Sequence, residues 1–576
     1  MLPQKLTISY LRKAYLDGVL QPEDVLSEIL ARVGRFRQFN IWISEPSLDF
    51  VTAYIKRLKT MDIMKYPLWG IPFAVKDNID VKGLQTSAGC PKYAYTPSGH
   101  AAVVQNLINA GAIPLGKTNL DQFATGLVGA RSPYGQVKNA LKPELISGGS
   151  SSGSAVSVAL GQAAFALGTD TAGSGRVPAA LNGIFGFKPS CGAWPVSGVV
   201  PACESLDCVS VFANNIDDCA AVDNAARKYE SADIWSKHIC APLVKQAEFI
   251  CLPKNELKFF GDFALNYKKA WNNFTDDLIS AGAAVKFIDT EIFSKAAQIL
   301  YAGAYVAERY AAVGNFIEKN PDAVLPVIRQ IIESGKNKTA VELFKDLHSL
   351  QKYKKEAQEL LKGGVLIMPT AGGAWTRAQV EENPIETNSQ MGLYTNHCNL
   401  LDLSACAIPY GFAGENLPFG ISAFALSGQE GLLFSVAAAI ENIKENAIMI
   451  AVHGLHMRGF ELNGVLLSFG AEFVREDKTS PEYKMFALQT QPAKPGLVKV
   501  EEGGAPVKTE IWKLPARNFA GFLETTASPL AFGKIKLYDG SEIAGFLCEP
   551  LAVKNAKDIT EYGGWREYKR REQIEN

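Results

Sequence analysis

The hydrophobic pattern along the chain changes character once, near residue 446. From 5 to 33, "KLTISYLRKAYLDGVLQPEDVLSEILARV" has apolar residues at helical spacing with turn signals at Asp17-Gly18 and Gln21-Pro22, and predicts two helices. "PLWGIPFAVKDNIDV" (67–81) predicts a short buried strand entering a polar turn. "AAVVQNLINAGAIPLGKTNL" (101–120) reads as helix, glycine stop and strand, the repeating step of an open α/β sheet. The step recurs over 153–170, where Gly161 separates a small-residue helix from the buried strand "AAFALGTD". "VLIMPTA" (365–371) and "ISAFAL" (421–426) predict further buried strands, and "EGLLFSVAAAIENI" (430–443) a closing amphipathic helix.

After Asn446 come short strand-like runs: "IMIAVHG", "GVLLSFG", "KMFALQT", "GLVKVEEGG", "TEIWKLP" and "KIKLYDGSEIAGFLCEP". Glycine, proline and Asp-Gly turns separate them, which predicts a β-rich second domain. The expectation is an α/β domain over 1–446 and a smaller β-rich domain over 447–576. A chain of 576 residues is too long for one core, which agrees.

Composition narrows the function classes. A net charge of −1 gives no bulk basic surface for nucleic acid or membrane. No apolar run is long enough to span a bilayer, and the N-terminal residues lack a signal-peptide core. Ten scattered cysteines without a Cys-x-x-Cys pair read as buried thiols of a cytoplasmic protein. Six histidines without metal-ligand spacing predict no metal, and nothing calls for an organic cofactor.

The chemistry concentrates in "GGSSSGSAVSVALGQAAFALGTDTAGSGRVP" (148–178). Taken singly, "GGSSSGS" is a loop and "DTAGSGR" a turn capping a helix. A Walker loop is excluded because no lysine closes the first. Together they make sense around Ser174. It follows a buried strand, Gly173 and Gly175 allow a tight turn, and Pro178 suits the first turn of a helix. Successive amides of Thr171, Ala172, Gly173 and Ser174 can then line an oxyanion hole beside a serine nucleophile. No histidine is near to act as base. Lys76 ends an apolar strand and becomes a usable base if burial lowers its pKa from about 10.4 towards 7–8. Ser150 can relay the proton, and its glycine neighbours permit an unusual backbone such as a cis peptide.

These residues resemble the amidase signature family, whose motif is Gly-Gly-Ser-Ser-x-Gly followed by Asp-x-Gly/Ala-x-Ser-x-Arg-x-Pro. The resemblance implies a mixed central β-sheet flanked by helices and a Ser–cis-Ser–Lys triad. The family lysine lies roughly a hundred residues before the nucleophile and the middle serine about two dozen before it, which selects Lys76, Ser150 and Ser174. Gly175 departs from the usual aliphatic residue and is similar to the allophanate hydrolase branch. "YAGAYVAERYAAV" (301–313), "NSQMGLYTNHCNLLDLSACAIP" (388–409) and the C-terminal "DGSEIAGFLCEP" and "DITEYGGWREY" resemble that branch too. Read alone, the first block is a helix whose Arg309 pairs with a surface glutamate. The resemblance implies instead that Tyr301 and Arg309 bind the substrate carboxylate, which suits a planar guanidinium. His397 stands where the family often has an apolar residue, and is read as local repacking, not a base.

The C-terminal domain is similar to the gamma-glutamylcyclotransferase-like barrel, but in "IAVHGLHMRGFELN" His453 replaces that fold's tyrosine, so cyclotransferase activity does not carry over. The resemblance implies that this domain decarboxylates the amidase product, with His456 as the matching histidine. It also implies hydrolysis of allophanate to ammonia and carbon dioxide, a homodimer, and a separate urea carboxylase supplying the substrate. The rivals are a general aliphatic amidase, the amidotransferase subunit that acts on charged tRNA, and an inactive binding protein on the same fold.

Overall fold

The computed structural model describes residues 2–445 and 447–575, so the expected boundary residue Asn446 lies outside the described residues. The chain divides into two compact units, Met1–Ile440 and Glu441–Asn576. The first is built on eleven strands: β1 (Trp42–Ser44), β2 (Pro72–Lys76), β3 (Ile113–Thr118), β4 (Phe165–Asp170), β5 (Phe185–Lys188), β6 (Cys208–Ala213), β7 (Phe249–Pro253), β8 (Val285–Ile288), β9 (Gly364–Pro369), β10 (Leu403–Gly414) and β11 (Leu417–Leu426). They form one mixed sheet in the order β1-β3-β2-β4-β6-β5-β10-β11-β9-β7-β8.

Every residue of β2, β3, β4 and β6 is buried. This explains why these strands read as continuous apolar runs in the sequence and not as alternations. The expected helix–strand steps are present as Ala102–Asn109 before β3 and Ser152–Ala159 before β4. The two N-terminal helices are Ile8–Leu16 and Pro22–Arg35.

Register places the chemistry. β2 and β4 run parallel with Val75 opposite Leu167, so Lys76 and the turn after Asp170 emerge at the same edge of the sheet. Open α/β sheets use the carboxyl ends of parallel strands in this way. β6 runs antiparallel to β4 with Cys208 opposite Asp170, which brings the loop ahead of β6 to that edge as well.

The serine-glycine run is a close-packed segment, unlike a linker. A side chain on Gly149 would place its Cβ 2.0 Å from Asp121 Oδ2, and one on Gly153 would fall 2.3 Å from the Ile41 carbonyl oxygen. Gly175 has the same reason: its Cβ would meet Ser210 Oγ at 2.5 Å.

The second unit has a five-stranded sheet in the order Glu472–Lys478, Lys508–Pro515, Ala447–Val452, Glu542–Cys548, Leu530–Lys536. A three-stranded sheet joins Pro495–Lys499, Tyr483–Ala487 and Lys557–Asp558. One expected strand is a helix: "GVLLSFG" forms Asn463–Ser468, with Leu466 buried. Periodicity cannot separate a short apolar run in a strand from one turn of buried helix. The polar strand Glu472–Lys478, mostly exposed, has no apolar alternation to reveal it.

Gly153 has an ordinary backbone conformation, so replacing it tests space alone. Gly153→Ala is expected to destabilise the chain by about 1–3 kcal/mol, the usual cost of overpacking. Denaturant unfolding of the two proteins measures it.

Candidate active site

Lys76 Nζ is fully buried and lies 2.8 Å from Ser150 Oγ and 2.7 Å from Thr169 Oγ1. The Gly149–Ser150 peptide is cis. Asp121 fixes this loop. Its N–H donates to the Ser150 carbonyl at 3.1 Å, while its carboxylate accepts the amides of Val128, Gly129 and Arg131.

A second buried lysine shows what is special about the first. Lys117, on the neighbouring strand, has an ion pair with Asp77 at 3.4 Å. The direct partners of Lys76 are hydroxyls. Burial therefore pulls its pKa down to about 7, against the more distant charges of Asp121, Asp207 and Asp170 and with a smaller push from Arg309. At neutral pH a large fraction of Lys76 is the free amine, the form that accepts a proton.

Ser174 lies in the turn after β4 and is buried at 3 % exposure. No hydrogen bond joins its hydroxyl to Ser150 among the described residues. The structure thus brings Lys76 and Ser150 into contact and places Ser174 at the same sheet edge. The turn is organised by Asp170. Arg176 donates to both its oxygens at 2.9 Å, and the amides of Gly173 and Gly175 donate at 3.0 Å each. Burial alone would raise the Asp170 pKa, but Arg176 holds its carboxyl below the usual range. Of the four expected oxyanion amides, the Gly173 N–H is the one already engaged, donating to Asp170 Oδ1. That leaves the amides of Thr171, Ala172 and Ser174 as candidates. Gly173 has φ +133, and a Cβ there would fall 2.3 Å from Thr395 Oγ1.

Arg309 is buried at 2 % exposure, so the surface-glutamate reading fails. Its guanidinium donates to Thr125 Oγ1 at 3.1 Å and to Tyr301 Oη at 3.2 Å, and its Nε has no partner. Among the described residues no carboxylate lies within ion-pair distance of it. A buried cation without a counter-ion is costly, so this position favours an anionic group beside it. Tyr301 lines a cavity of about 610 Å³ together with Arg131, Asn388, Tyr394 and His397. Ser174 is not among the residues lining that cavity. The connection is Thr395, which packs on Gly173 while its neighbours Tyr394 and Asn396 form cavity wall.

The amidase family profile matches residues 46–434. The chain belongs to the amidase family. Over 448–570 this amidase also matches the allophanate hydrolase C-terminal domain. Among solved structures it is similar to the allophanate hydrolase of Kluyveromyces lactis, with 34% identity, a TM-score of 0.71, and coverage of 98% of this chain and 99% of that one. It is 39% identical over 572 residues to the urea amidolyase of Saccharomyces cerevisiae, covering 92% of this chain and 31% of the relative, so it spans about a third of that protein's length. A glutamyl-tRNA(Gln) amidotransferase subunit of Treponema pallidum is 31% identical over 417 residues, 64% of this chain and 81% of the relative.

In this amidase His397 is buried between Phe293 and Phe424, with ring centroids at 5.2 and 4.7 Å. Burial and then Arg176 push its pKa down to about 3, which leaves it neutral at working pH. Sequence reasoning missed Thr169, the second hydroxyl on Lys76, and Asp121, the anchor of the Ser150 loop. Neither has a motif of its own, although Asp121 follows a strand in a polar turn.

In the second unit, His456 is half-buried and stacked on Phe546 at 5.0 Å. Burial and then Lys494 lower its pKa to about 4. With His453, Lys494 and Thr526 it lines a cavity of about 40 Å³. His453 is buried and its Nδ1 has no partner.

The titration of Lys76 fixes a pH dependence. Its protonated form cannot act as base, so kcat/KM for an amide substrate is expected to fall about tenfold per pH unit below about 7. Lys76→Arg is expected to be inactive throughout, because arginine stays protonated. A pH–rate profile of both proteins checks this.

Proposed function

We propose that the chain is an allophanate hydrolase. The observation that carries the reading is Arg309: a buried guanidinium with no carboxylate partner, bonded to Tyr301, which lines a cavity. It suits a small substrate that brings its own carboxylate. The likeness to the Kluyveromyces lactis allophanate hydrolase over nearly the whole length of both chains supports the same reading. The amidotransferase subunit covers only 64% of this chain.

In the proposed reaction Lys76, as free amine, takes the Ser150 proton while Ser150 takes that of Ser174. Ser174 Oγ bonds to the terminal carbamoyl carbon, and the turn amides of Thr171, Ala172 and Ser174 receive the oxyanion. The proton returns to the leaving nitrogen and ammonia departs. Water then cleaves the Ser174 ester and releases N-carboxycarbamate. Tyr301 and Arg309 hold the distal carboxylate throughout. In the second unit, His456 and its neighbours would remove carbon dioxide from that product, and the remaining carbamate decomposes to ammonia and carbon dioxide. An allophanate-forming enzyme must act upstream, and a urea carboxylase is the class assigned to it. We place the reaction in the cytoplasm, in a homodimer. No described helix is long and apolar enough to cross a membrane.

Ser174→Ala is expected to abolish ammonia release from allophanate in a folded protein; wild-type turnover would overturn the assignment. Arg309→Ala is expected to raise KM for allophanate roughly ten- to a hundredfold, the worth of a charge-assisted contact, and to change that for a neutral amide far less. For the second unit, His456→Ala is expected to leave the first ammonia unchanged and delay carbon dioxide. A time course of both products separates the two steps, and simultaneous release in the variant would remove His456 from the chemistry.

A further inference from the structure

The loop ahead of β6 takes no part in the steps above, yet it carries a buried carboxylate at the reacting edge. Asp207 directly precedes Cys208, which pairs with Asp170 across β4 and β6. Asp207 therefore lies alongside Thr171, the first residue of the nucleophile turn, and the Thr171 hydroxyl donates to Asp207 Oδ1. Asp207 Oδ2 accepts the Ala202 N–H at 2.7 Å, and the Cys203 N–H reaches both oxygens at 3.2 and 3.1 Å.

The same loop is gripped from its other side by Glu308. That carboxylate accepts the Ser205 N–H at 2.7 Å, the Ser205 hydroxyl at 2.8 Å and the Cys203 thiol at 2.9 Å. Glu308 adjoins Arg309 in the helix Val306–Lys319. One short loop thus ties the helix that carries the unpaired guanidinium to the turn that carries the nucleophile.

Asp207 also lies within electrostatic reach of the base. The charged groups acting on Lys76 are Asp121, Asp207, Asp170 and Arg309. Burial raises the Asp207 pKa to about 6, against the hydrogen bonds from Thr171, Ala202 and Cys203 and the charge of Arg309, so it is mostly the anion at neutral pH. Asp170 is neutralised by Arg176 in direct contact. Asp207 has no lysine or arginine within ion-pair distance among the described residues, so its field on Lys76 is not cancelled at source.

We propose that Asp207 is a positioning residue of the amide hydrolysis: it anchors Thr171, and with it the oxyanion-facing turn, and its charge stabilises the ammonium that forms on Lys76. This rests on the reading of Lys76 as base. When Ser174 bonds to the carbonyl carbon, its proton passes to Ser150 and the Ser150 proton to Lys76, so positive charge appears on Nζ as negative charge appears on the oxyanion. Asp207 gains and loses no proton in this step. It lowers the energy of the charge separation from the cationic side and keeps the donors aligned on the anionic side.

Two variants of the full chain separate these contributions. Asp207→Asn keeps the shape and an acceptor for Thr171 but removes the charge. Its acid limb of kcat/KM for allophanate is expected to move to lower pH by about one unit, because Lys76 loses a stabilising anion, and kcat to fall roughly tenfold. Thr171→Val keeps the charge and removes the anchor. It is expected to lose roughly tenfold in kcat with the acid limb unmoved. A merely structural Asp207 would lower activity without moving the limb, so a folded Asp207→Asn enzyme with the wild-type limb overturns the proposal. Wild-type kcat in Thr171→Val overturns it too, and that variant decides the matter if Asp207→Asn does not fold. If the wild-type chain releases no ammonia from allophanate, the functional reading fails instead, and the same two variants are then compared on a simple neutral amide.

Discussion

A primary amine held in the core with only hydroxyls for direct partners is the constraint on which the site depends. Lys76 is fully buried at the end of a strand that is itself buried along its whole length. Such a position is tolerable only if the amine can shed its proton, and the value of about 7 follows from that. Lys117 marks the alternative one strand away: burial lowers its pKa too, but the Asp77 carboxylate at 3.4 Å opposes that shift directly. The surrounding acids of Lys76 sit beyond contact, close enough to favour the ammonium when it forms and too far to fix it permanently. This balance requires Asp121, Asp170 and Asp207 to be held elsewhere, and each is.

The nucleophile turn obeys a different logic. Asp170 and Arg176 are both wholly buried, and an ion pair of that kind adds little net stability because both charges are desolvated. Its effect is geometric. Four donors converge on one carboxylate and leave the chain from Gly173 to Arg176 almost no freedom. The small residues are needed for the same reason, since Gly173 is filled against Thr395 and Gly175 against Ser210. Rigidity here complements the neutral lysine: the base can titrate, while the group it serves does not move.

How much of this was legible in the sequence depends on whether the signal was local. The buried strands and their preceding helices were readable because each strand is a short apolar run and a glycine, Gly111 or Gly161, separates it from the helix before it. The Lys76–Ser150 contact was approachable because a lysine ending an apolar strand suits the base of a serine without histidine, and the family resemblance supplied the spacings that select both residues. Asp121, Thr169 and Asp207 were not legible. Each acts through a partner on another strand, and no spacing along the chain encodes which strand lies next to which. The engagement of the Gly173 amide was hidden for a related cause: a glycine-rich turn reads as a row of free donors until the carboxylate that takes one of them is placed. The helix Asn463–Ser468 was read as a strand because its single turn is too short to show a period.

The same charges bear on the fate of the product once the amide is cleaved. On the proposed reaction the substrate carries one carboxylate, matched by one unpaired guanidinium. Hydrolysis of the acyl-enzyme creates a second carboxylate at the Ser174 end, and the product becomes a dianion. At that end stand Asp121, Asp170 and Asp207, of which only Asp170 has a cation in contact. Lys76, cationic during proton transfer, returns to the free amine as the cycle closes. The product therefore places a second negative charge in the same field that the substrate met on entry, while Arg309 still holds only its far end. Coulomb repulsion in a poorly screened interior favours its departure. The feature that tunes the base, acidic groups placed at a distance from an unpaired amine, also makes the pocket a poor trap for what it produces.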